Sequence, residues 1–434
     1  MGRLATTLAS IVAATMMAGT AVADQLARPR TPWLFGDWLG LRTYLSERGI
    51  DFQFGYISEL AGNANGGIRR WTDYADQIQA GVTFDLERLA GLHDAKFQVT
   101  YTQRTGRDLV ADAGLNTLQL VQEIYGRGQT TRLTEFHFDQ KYFNGLVDWK
   151  IGRMGVGDDF AAFSCNFQNL TFCGSDPGNL VGYYIYNWPI SQWASRVKFD
   201  FGSSYIQVGA YDQNQRYLGV KRALLPVFFP NSTGLLTITE IGFLPRFGNG
   251  TLPGSYKFGG WYSTTMADDV VLDVDGTFAA ITGLPPRLDR GLHGAYINFE
   301  QRITPAPVWN PKAGLSVFLN AVIADRKTAV TDFQIATGLI FKAPFHLRPK
   351  DDIAFAVGTT RVNNRLADVQ VLENSLGLGP VGVQHFEYVL EAYYTFVVDD
   401  GLRLRPNVQY IIAPGGISQS ESVLVFGLKT VVSF

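Results

Sequence analysis

The sequence is short of several features by which common protein classes are recognised. Only two of its 434 residues are cysteine, which excludes a disulfide-dense secreted scaffold. Beyond the first 23 residues, no stretch approaches the 18 or so consecutive apolar residues of a membrane-spanning helix. The formal net charge is −2, so there is no charge excess that would indicate a nucleic-acid partner or an anionic lipid surface.

Catalytic patterns are also missing. The chain contains neither a G-x-S-x-G elbow nor an H-E-x-x-H pair. Asp158 and Asp159 are adjacent, so on a strand they would point to opposite faces and could not flank one glycosidic bond. The glycines of "GRMGVGDD" have no following helix with which to form a dinucleotide loop. We therefore expect a protein that is not an enzyme and needs no cofactor.

Aromatic residues and glycine are abundant instead, with 30 Phe, 19 Tyr and 46 Gly, a composition that favours β structure. The N-terminus carries one early positive charge, Arg3, then an apolar run that closes with "AVA" before Asp24. This pattern predicts a secretory signal peptide over residues 1–23. A transmembrane anchor is the weaker alternative, because Thr and Ser interrupt the run and no charge cluster follows it.

The two cysteines, Cys165 and Cys173, lie close together in "CNFQNLTFC". Export past a signal peptide leads to an oxidising compartment, so the spacing predicts a disulfide that closes a short loop. Free or metal-binding thiols are the alternative, but no histidine lies nearby to complete a zinc site.

Apolar and polar side chains alternate with a period of two in many segments. In "KFQVTYTQR", Phe97, Val99 and Tyr101 share one face, opposite lysine, glutamine, threonine and arginine. The same alternation occurs in "DFQFGYISE", "QIQAGVTFDL", "TEFHFDQKYF", "ASRVKFDF", "HFEYVLEAYYTF" and "LRLRPNVQYI". A soluble sandwich would turn the apolar faces inward, whereas a membrane barrel would turn them outward to lipid.

Three features favour the barrel. The alternating segments are about 9–14 residues long, which suits a tilted membrane-spanning strand. Aromatic residues crowd strand ends at 142–143 and 393–394, as in an interfacial girdle. Tight turns such as "LAGLHDA", "NGL", "GSS" and "DDG" alternate with long connections at residues 105–129, 160–192, 212–234 and 270–292. Short turns on one rim and long loops on the other are the layout of a membrane barrel.

Sixteen strands are predicted, an even number that closes an antiparallel barrel. The last segment, "ESVLVFGLKTVVSF", would pair with the first and leave no free edge in lipid. The segments at 236–247 and 314–325 alternate poorly. The predicted strands are 51–60, 76–87, 96–105, 131–143, 147–157, 193–202, 205–212, 236–247, 256–266, 293–303, 314–325, 332–342, 353–363, 385–398, 402–412 and 422–434.

Before the first strand lies a lead-in segment, residues 24–50. Trp38, Leu41 and Leu45 are spaced by three and four, which predicts a short amphipathic helix ended by Gly49. We interpret this segment as a periplasmic lead-in or plug, followed by a barrel domain over residues 51–434. The fold class is therefore all-β, a transmembrane antiparallel β-barrel with a short N-terminal periplasmic helix.

Several stretches together resemble the carbohydrate-selective porin family of Gram-negative outer membranes. They are "FGDWLGLRTYLSERGI", "GRMGVGDDFA", "CNFQNLTFCG" and "LEAYYTFVVDDGLRLRPNVQYIIAPGG", with a terminal phenylalanine. The resemblance implies a 16-stranded outer-membrane pore that admits sugars, glucose among them. It also implies that Phe434 serves as a signal to the outer-membrane assembly machinery. Leu39 stands where many members carry glycine.

Sugar recognition needs aromatic faces beside planar hydrogen-bonding groups, and polar barrel walls supply both signs of charge. "GGIRRWTDY" and the aromatic-rich loop at 160–192 offer such groups, and we hypothesise that this loop folds into the barrel. In one alternative, this loop points outward from the barrel. In another, the lumenal charges only pair with each other. The candidate pore-lining and sugar-binding residues are Glu59, Arg69, Arg70, Trp71, Arg104, Glu135, Arg153, Asp159, Trp188, Arg196, Glu391 and Arg403.

The sequence thus predicts a passive outer-membrane porin for small sugars, with mono- or oligosaccharides and outer-membrane lipid as its partners. Weak binding would raise entry while still allowing exit. The alternatives are a secreted β-rich carbohydrate-binding protein or glycoside hydrolase, and a porin for a different small solute. The oligomeric state, monomer or trimer, stays open.

Overall fold

Sixteen antiparallel strands close into a barrel in the computed structural model, which describes residues 32–225 and 231–434. The strands, numbered β1 to β16 here, are Ile50–Asn65, Thr72–Asp85, Ala95–Gly106, Thr130–Tyr142, Val147–Met154, Gln192–Asp200, Ser204–Gln213, Gly234–Phe243, Leu252–Asp273, Pro286–Arg302, Gly314–Ala324, Thr331–Lys342, Asp352–Val362, Phe386–Asp399, Leu402–Ile412 and Val423–Ser433. Two-residue strands at Arg222–Ala223 and Arg246–Phe247 are added to this wall. The predicted strand count is confirmed, and each predicted strand overlaps an observed one, although β9 and β10 are longer than predicted.

The last strand closes the barrel against the first. β16 pairs with β1 from Ser433 opposite Gly55 to Leu424 opposite Asn65. Every other barrel strand pairs with its neighbour in the chain, so the wall has no free edge. The tail is paired along its whole length because closure is the only way to satisfy its backbone groups in a membrane.

Outward positions are apolar and inward positions are polar in most strands. On β16, Phe426 is 57% exposed on the outer surface, whereas Lys429 is 1% exposed inside the barrel. The two differ by an odd number of residues, so the period of a strand places them on opposite faces. The predicted orientation, with apolar faces outward, is confirmed.

Two strands depart from this alternation for a structural reason. Leu236 and Ile238 of β8, and Phe318 and Val322 of β11, are apolar, point inward and are buried. They belong to two hydrophobic clusters inside the barrel that include residues of the long loops. Both faces of these strands therefore carry apolar residues, which explains why the segments at 236–247 and 314–325 alternate poorly in sequence.

The connections differ in length between the two rims. The rim with short connections, called the turn rim here, carries tight turns such as residues 143–146, where Asn144 and Gly145 have φ of 54° and 86°. Asn and Gly tolerate this left-handed backbone better than other residues. The opposite rim, called the loop rim, carries the connections 107–129, 155–191 and 214–233.

One predicted loop is wrong. About half of residues 270–292 are strand, because β9 continues to Asp273 and β10 begins at Pro286, which leaves residues 274–285 as the connection. Their pairing shifts register between Ser263 and Met266, and again between Asp268 and Asp273. Such irregularities let a hairpin twist while it stays paired. The hairpin therefore extends past the neighbouring strands, and only a short connection remains.

The described helices are short. The α-helices α1 to α7 are Leu41–Ser46, Leu86–Ala90, Leu109–Ala113, Asp176–Leu180, Arg216–Gly219, Ala279–Thr282 and Asn364–Ser375. The 3₁₀ turns are Trp38–Gly40, Glu123–Tyr125, Val156–Asp158, Leu170–Phe172 and Pro414–Gly416. No helix within residues 32–225 and 231–434 has the length and apolar character needed to cross a membrane.

The predicted N-terminal helix is confirmed as α1, and it lies at the end of the barrel seam. Arg42 donates from Nη1 to the backbone oxygen of Phe434 over 2.6 Å. The rings of Phe35 and Phe434 stack with centroids 5.1 Å apart, and the Leu34 amide donates to the Ser433 carbonyl. The predicted signal peptide and residues 24–31 of the lead-in lie outside the described residues.

Candidate channel constriction

The connection at residues 155–191, called loop L3 here, crosses the interior of the barrel. Glu391 on β14 accepts hydrogen bonds from the backbone amides of Gln168 and Asn169, both over 2.8 Å. On another part of the wall, Glu240 accepts from the amide of Ala161 over 2.8 Å. Polar wall residues therefore satisfy the backbone groups of L3, and the hypothesis that this loop folds inward is confirmed.

The predicted disulfide between Cys165 and Cys173 is present in L3. Asn179, on the following helix α4, donates to the carbonyl of Cys173 over 2.7 Å. The bridge thus closes a small ring of chain beside the wall residue Lys429, whose Nζ is 3.8 Å from Cys165 Sγ, and is joined to the next helix. No free thiol exists among the described cysteines.

A second connection, residues 107–129 and called loop L2 here, also enters the barrel. Gln122 donates to the backbone oxygen of Glu59 over 2.8 Å, and the Ile124 amide donates to the Glu59 carboxylate over 3.2 Å. The Glu123 amide donates to the carbonyl of Gln168 in L3 over 3.0 Å. The two loops are therefore bonded to each other as well as to the wall.

A cavity of about 420 Å³ remains between these loops and the wall of β1 to β3. A second cavity, of about 650 Å³, lies toward the turn rim and shares Ile57, Gln77 and Gln79 with the first. The two cavities thus adjoin each other along this side of the barrel. The charged and aromatic residues that line the first cavity are Arg104, Glu123, Arg127, Asp158, Phe163 and Trp188.

Gln77 joins an arginine to a tryptophan at the cavity wall. Its Oε1 accepts a hydrogen bond from Arg104 Nε over 2.8 Å and another from Trp188 Nε1 over 3.0 Å. Arg104 belongs to β3 and Trp188 to L3. A guanidinium from the wall and an indole from the loop are therefore held side by side by one amide oxygen.

The cavity carries both signs of charge. Arg104 and Arg127 face it with Glu123 and Asp158. Arg127 donates from Nη2 to the carbonyl of Gly182 in L3 over 2.8 Å, and its burial lowers the pKa of its guanidinium. Formally the four charges balance, so the constriction has no strong electrostatic preference for one sign of ion at a pH where all four are ionised.

The pKa of the Asp158 carboxyl is raised to a value near neutral pH. Its side chain is open to the cavity, and its Oδ2 accepts the amide of Gly155 over 3.0 Å. Enclosure within the barrel, together with the negative charges of Glu135 and Asp159, raises the pKa of its carboxyl to about 7.

Among the residues selected from the sequence, Arg104 and Trp188 line the cavity, while others anchor the loops. Glu59 and Glu391 are fully buried and bind L2 and L3. Arg153 donates to the carbonyl of Ser191 at the end of L3.

A charged group on β4 to β6 holds the start of L3. Asp159 accepts from Lys150 over 2.7 Å and lies 3.6 Å from Arg196, which also bonds Asp148. Glu135 accepts from the hydroxyl of Thr100 over 2.6 Å. These contacts are the mutual pairing that the alternative interpretation of the lumenal charges described.

The remaining candidates lie nearer the rims. Arg69 sits 4.4 Å above the ring of Trp71, and both are exposed at the loop rim together with Arg70. Trp71 Nε1 donates to Asp73 over 3.1 Å. Arg403 is exposed near the start of β15, at the turn rim. Their part in solute passage stays a prediction.

Sequence reasoning missed several residues that line the cavity, among them Gln77, Glu123, Arg127 and Asp158. Gln77 lies on the polar face of an alternating strand, so the period-two pattern could have included it. Glu123 and Arg127 lie in L2, where no local pattern shows that the loop turns inward.

Comparison with known proteins agrees with this architecture. The profile of the family described as "Carbohydrate-selective porin, OprB family" matches residues 69–434. The chain belongs to this family. It is therefore a carbohydrate-selective porin of the Gram-negative outer membrane, and the apolar outer surface of its barrel faces lipid.

Individual relatives match over nearly the whole chain. Porin B of Pseudomonas aeruginosa is 40% identical over 95% of this chain and 94% of its own length. A protein named Putative porin QuiX, from Acinetobacter baylyi, is 33% identical over 93% of each chain. The high-pH structure of Pseudomonas putida OprB is 40% identical, covers 94% of this porin and 100% of that chain, and superposes with a TM-score of 0.89.

Proposed function

We propose that this porin lets small neutral sugars such as glucose diffuse through the cavity between L2, L3 and the wall of β1 to β3. The observation that carries the proposal is the pairing of Arg104 and Trp188 on the side-chain oxygen of Gln77. A guanidinium offers several donors in one plane, and an indole ring offers an apolar face. A pyranose presents hydroxyl groups at its edge and an apolar C–H face, so it complements both.

The size and the charge of the cavity support the same solute class. Its volume of about 420 Å³ lies within the roughly 300–1,000 Å³ of typical small-molecule sites. The interleaved charges of Arg104, Arg127, Glu123 and Asp158 supply hydrogen-bonding groups without a strong net field. Binding in such a site stays weak enough for release, which passive transport requires.

We propose that Trp71, with Arg69 and Arg70, forms a first contact for sugars at the loop rim. Trp71 is exposed there, and Arg69 lies over its ring. The side chain of Asp73, held by Trp71 Nε1, lies on the inward face of β2 together with that of Gln77. A sugar that leaves the rim would therefore meet the polar face that leads to the constriction.

Liposome swelling tests the proposed solute. Vesicles that contain the porin should swell faster in glucose than in gluconate, which has a similar size but carries a charge. The Trp188→Ala variant should reduce the preference, while Trp309→Ala, which removes an exposed tryptophan at the turn rim, should leave it unchanged. Equal swelling in glucose and gluconate with the unmodified porin would refute sugar selectivity at this constriction.

We further propose that the outer-membrane assembly machinery recognises Phe434. Its support is the family resemblance of the terminal strand. In the folded barrel the Phe434 ring is stacked on Phe35, so recognition would precede docking of the lead-in. Replacing Phe434 by alanine should lower the amount of heat-modifiable barrel in outer membranes, and an unchanged amount would refute the proposal.

A further inference from the structure

Lys429 lies where the closing seam of the barrel meets both inward loops. It is directly opposite Glu59 in the register of β16 and β1. Its Nζ is 3.0 Å from Glu59 Oε1 and 2.8 Å from Glu123 Oε1 in L2. Lys429 is 1% exposed and Glu59 is 0% exposed, so this charge group is nearly closed to water.

The same ammonium group also binds loop L3. Nζ donates to the carbonyl of Phe167 over 3.1 Å and lies 3.8 Å from the sulfur of Cys165. Cys165 belongs to the disulfide, and both Cys165 and Glu123 line the cavity. One side chain on the wall therefore contacts L2 and L3 next to the residues that form the constriction.

The charges of Lys429, Glu59 and Glu123 predict which part of the structure moves when the ammonium group is removed. Two carboxylates, those of Glu59 and Glu123, share the single ammonium of Lys429. Without that ammonium they would face each other with little water between them, and like charges at this distance repel strongly. Because Glu59 is fixed on a strand, Glu123 and the rest of L2 would move.

A role in holding the seam closed does not explain this arrangement. The seam is built from the backbone ladder between β1 and β16, which runs from Gly55 to Asn65 on β1. A cross-strand ion pair between Glu59 and Lys429 would neutralise both charges on the wall without any contribution from the loops. The additional bonds to Glu123 and Phe167 serve the loops.

We propose that Lys429 is a positioning residue for the constriction: by holding Glu123 of L2 and Phe167 of L3 together, it sets the cavity geometry that selects sugars. It does not line the cavity, so it acts through the loops. The inference rests on the proposed passage of sugar through that cavity.

Planar-bilayer recordings with glucose test the inference. The half-blocking glucose concentration is measured for the unmodified porin, Lys429→Met, Lys429→Arg and Lys198→Met. Lys198 is a matched control, because it is a lysine on the inward face of β6 that pairs with Asp200 outside the cavity. Heat-modifiability on gels reports whether each variant forms the barrel.

Lys429→Met should raise the half-blocking concentration at least about threefold, the lower range for coupled neighbours. It should also admit larger sugars in swelling assays. Lys429→Arg should restore most of the affinity because it keeps the charge, and Lys198→Met should match the unmodified porin. A folded Lys429→Met barrel with unchanged affinity and size limit would overturn the inference. Absence of any glucose block in the unmodified porin would instead overturn the proposed function.

A second variant decides the matter if Lys429→Met does not fold. The double change Lys429→Met with Glu59→Gln removes the ammonium and its seam partner together, so no unpaired charge is left on the wall. Glu123 and Phe167 still lose their anchor, so the same loss of glucose affinity is expected. A double variant that blocks at the same glucose concentration as the unmodified porin would overturn the inference.

Discussion

Trp188 donates its indole N–H to the side-chain oxygen of Gln77 over 3.0 Å. This bond fixes an aromatic ring of loop L3 against the barrel wall. Because L3 is 37 residues long between β5 and β6, the position of such a ring cannot follow from the strands alone. The bond therefore determines where an apolar ring face lies at the cavity.

Replacing Trp188 should separate the effect of the ring from that of its hydrogen bond. Trp188→Phe keeps an aromatic face but loses the bond to Gln77, which contributes about 1 kcal/mol, so glucose affinity should fall about fivefold. Trp188→Ala loses both and should reduce affinity further. The half-blocking glucose concentration in single-channel recordings measures each loss, and equal values for the two variants would show that the ring face contributes nothing.

Opening the disulfide should loosen the constriction. In the double variant Cys165→Ser with Cys173→Ser, the ring of L3 next to the cavity is no longer closed. The conformational entropy of the unfolded chain then rises, which lowers the free energy of unfolding by about 2–3 kcal/mol. We expect a higher and more variable single-channel conductance and a weaker sugar preference. A reducing agent should reproduce the effect in the unmodified porin but change nothing in the variant. Unchanged conductance and selectivity in both would contradict the prediction.

Lowering the pH should move the ion selectivity toward anions. The pKa of Asp158 is raised to about 7, so its carboxylate is charged at pH 8 and mostly protonated at pH 6. A unit charge about 8 Å from a passing ion in water changes the energies of a cation and an anion by about 0.5 kcal/mol each, in opposite directions, so the K⁺ to Cl⁻ permeability ratio should fall about fivefold. Reversal potentials in a KCl gradient measure this ratio.

Asp158→Asn provides the control for the pH effect. The variant should show the more anion-preferring value at pH 8 already, and it should lack the step between pH 8 and pH 6. A step of the same size in this variant would assign the titration to another group.

The anchoring glutamates should act on separate loops. Glu391→Ala leaves the buried amides of Gln168 and Asn169 without an acceptor, at a cost of about 1–3 kcal/mol each. Hydrogen exchange at these amides should accelerate at least about tenfold. Glu387, which accepts from the amides of Leu118 and Gly415, serves as the matched control.

Glu387→Ala should accelerate exchange at residues 118 and 415 and leave residues 168–169 as they are. Acceleration at both sets of amides in either variant would indicate a general loosening of the barrel interior instead of two independent anchors.

The strands could be predicted because their signal is local. In "KFQVTYTQR", apolar and polar residues alternate at neighbouring positions. A membrane barrel needs the apolar side chains on its outer face, against lipid. The weak strands β8 and β11 show the limit of this rule. The inward side chains of these strands pack against loop residues that are far away in the chain. Ile238 and Val322 are therefore apolar, although they point into the barrel.

The constriction could be predicted only in part. Arg104 and Glu391 are both charged residues on the polar faces of strands, and nothing in the sequence distinguishes them. The structure places Arg104 at the cavity and Glu391 under the backbone of L3. The difference arises from the path of two loops whose backbone groups find their partners on remote strands.

Alternation, turn residues and the pair of cysteines were enough to predict a closed antiparallel barrel with one bridged loop, because each of these signals acts between near neighbours along the chain. The arrangement of the residues around the cavity arises from long-range contacts. Lys429, Glu59 and Glu123 come together only after the seam has closed and both loops have entered. A side chain's neighbours across a lumen are set by how the loops fill it, and that filling is a property of the whole packed interior.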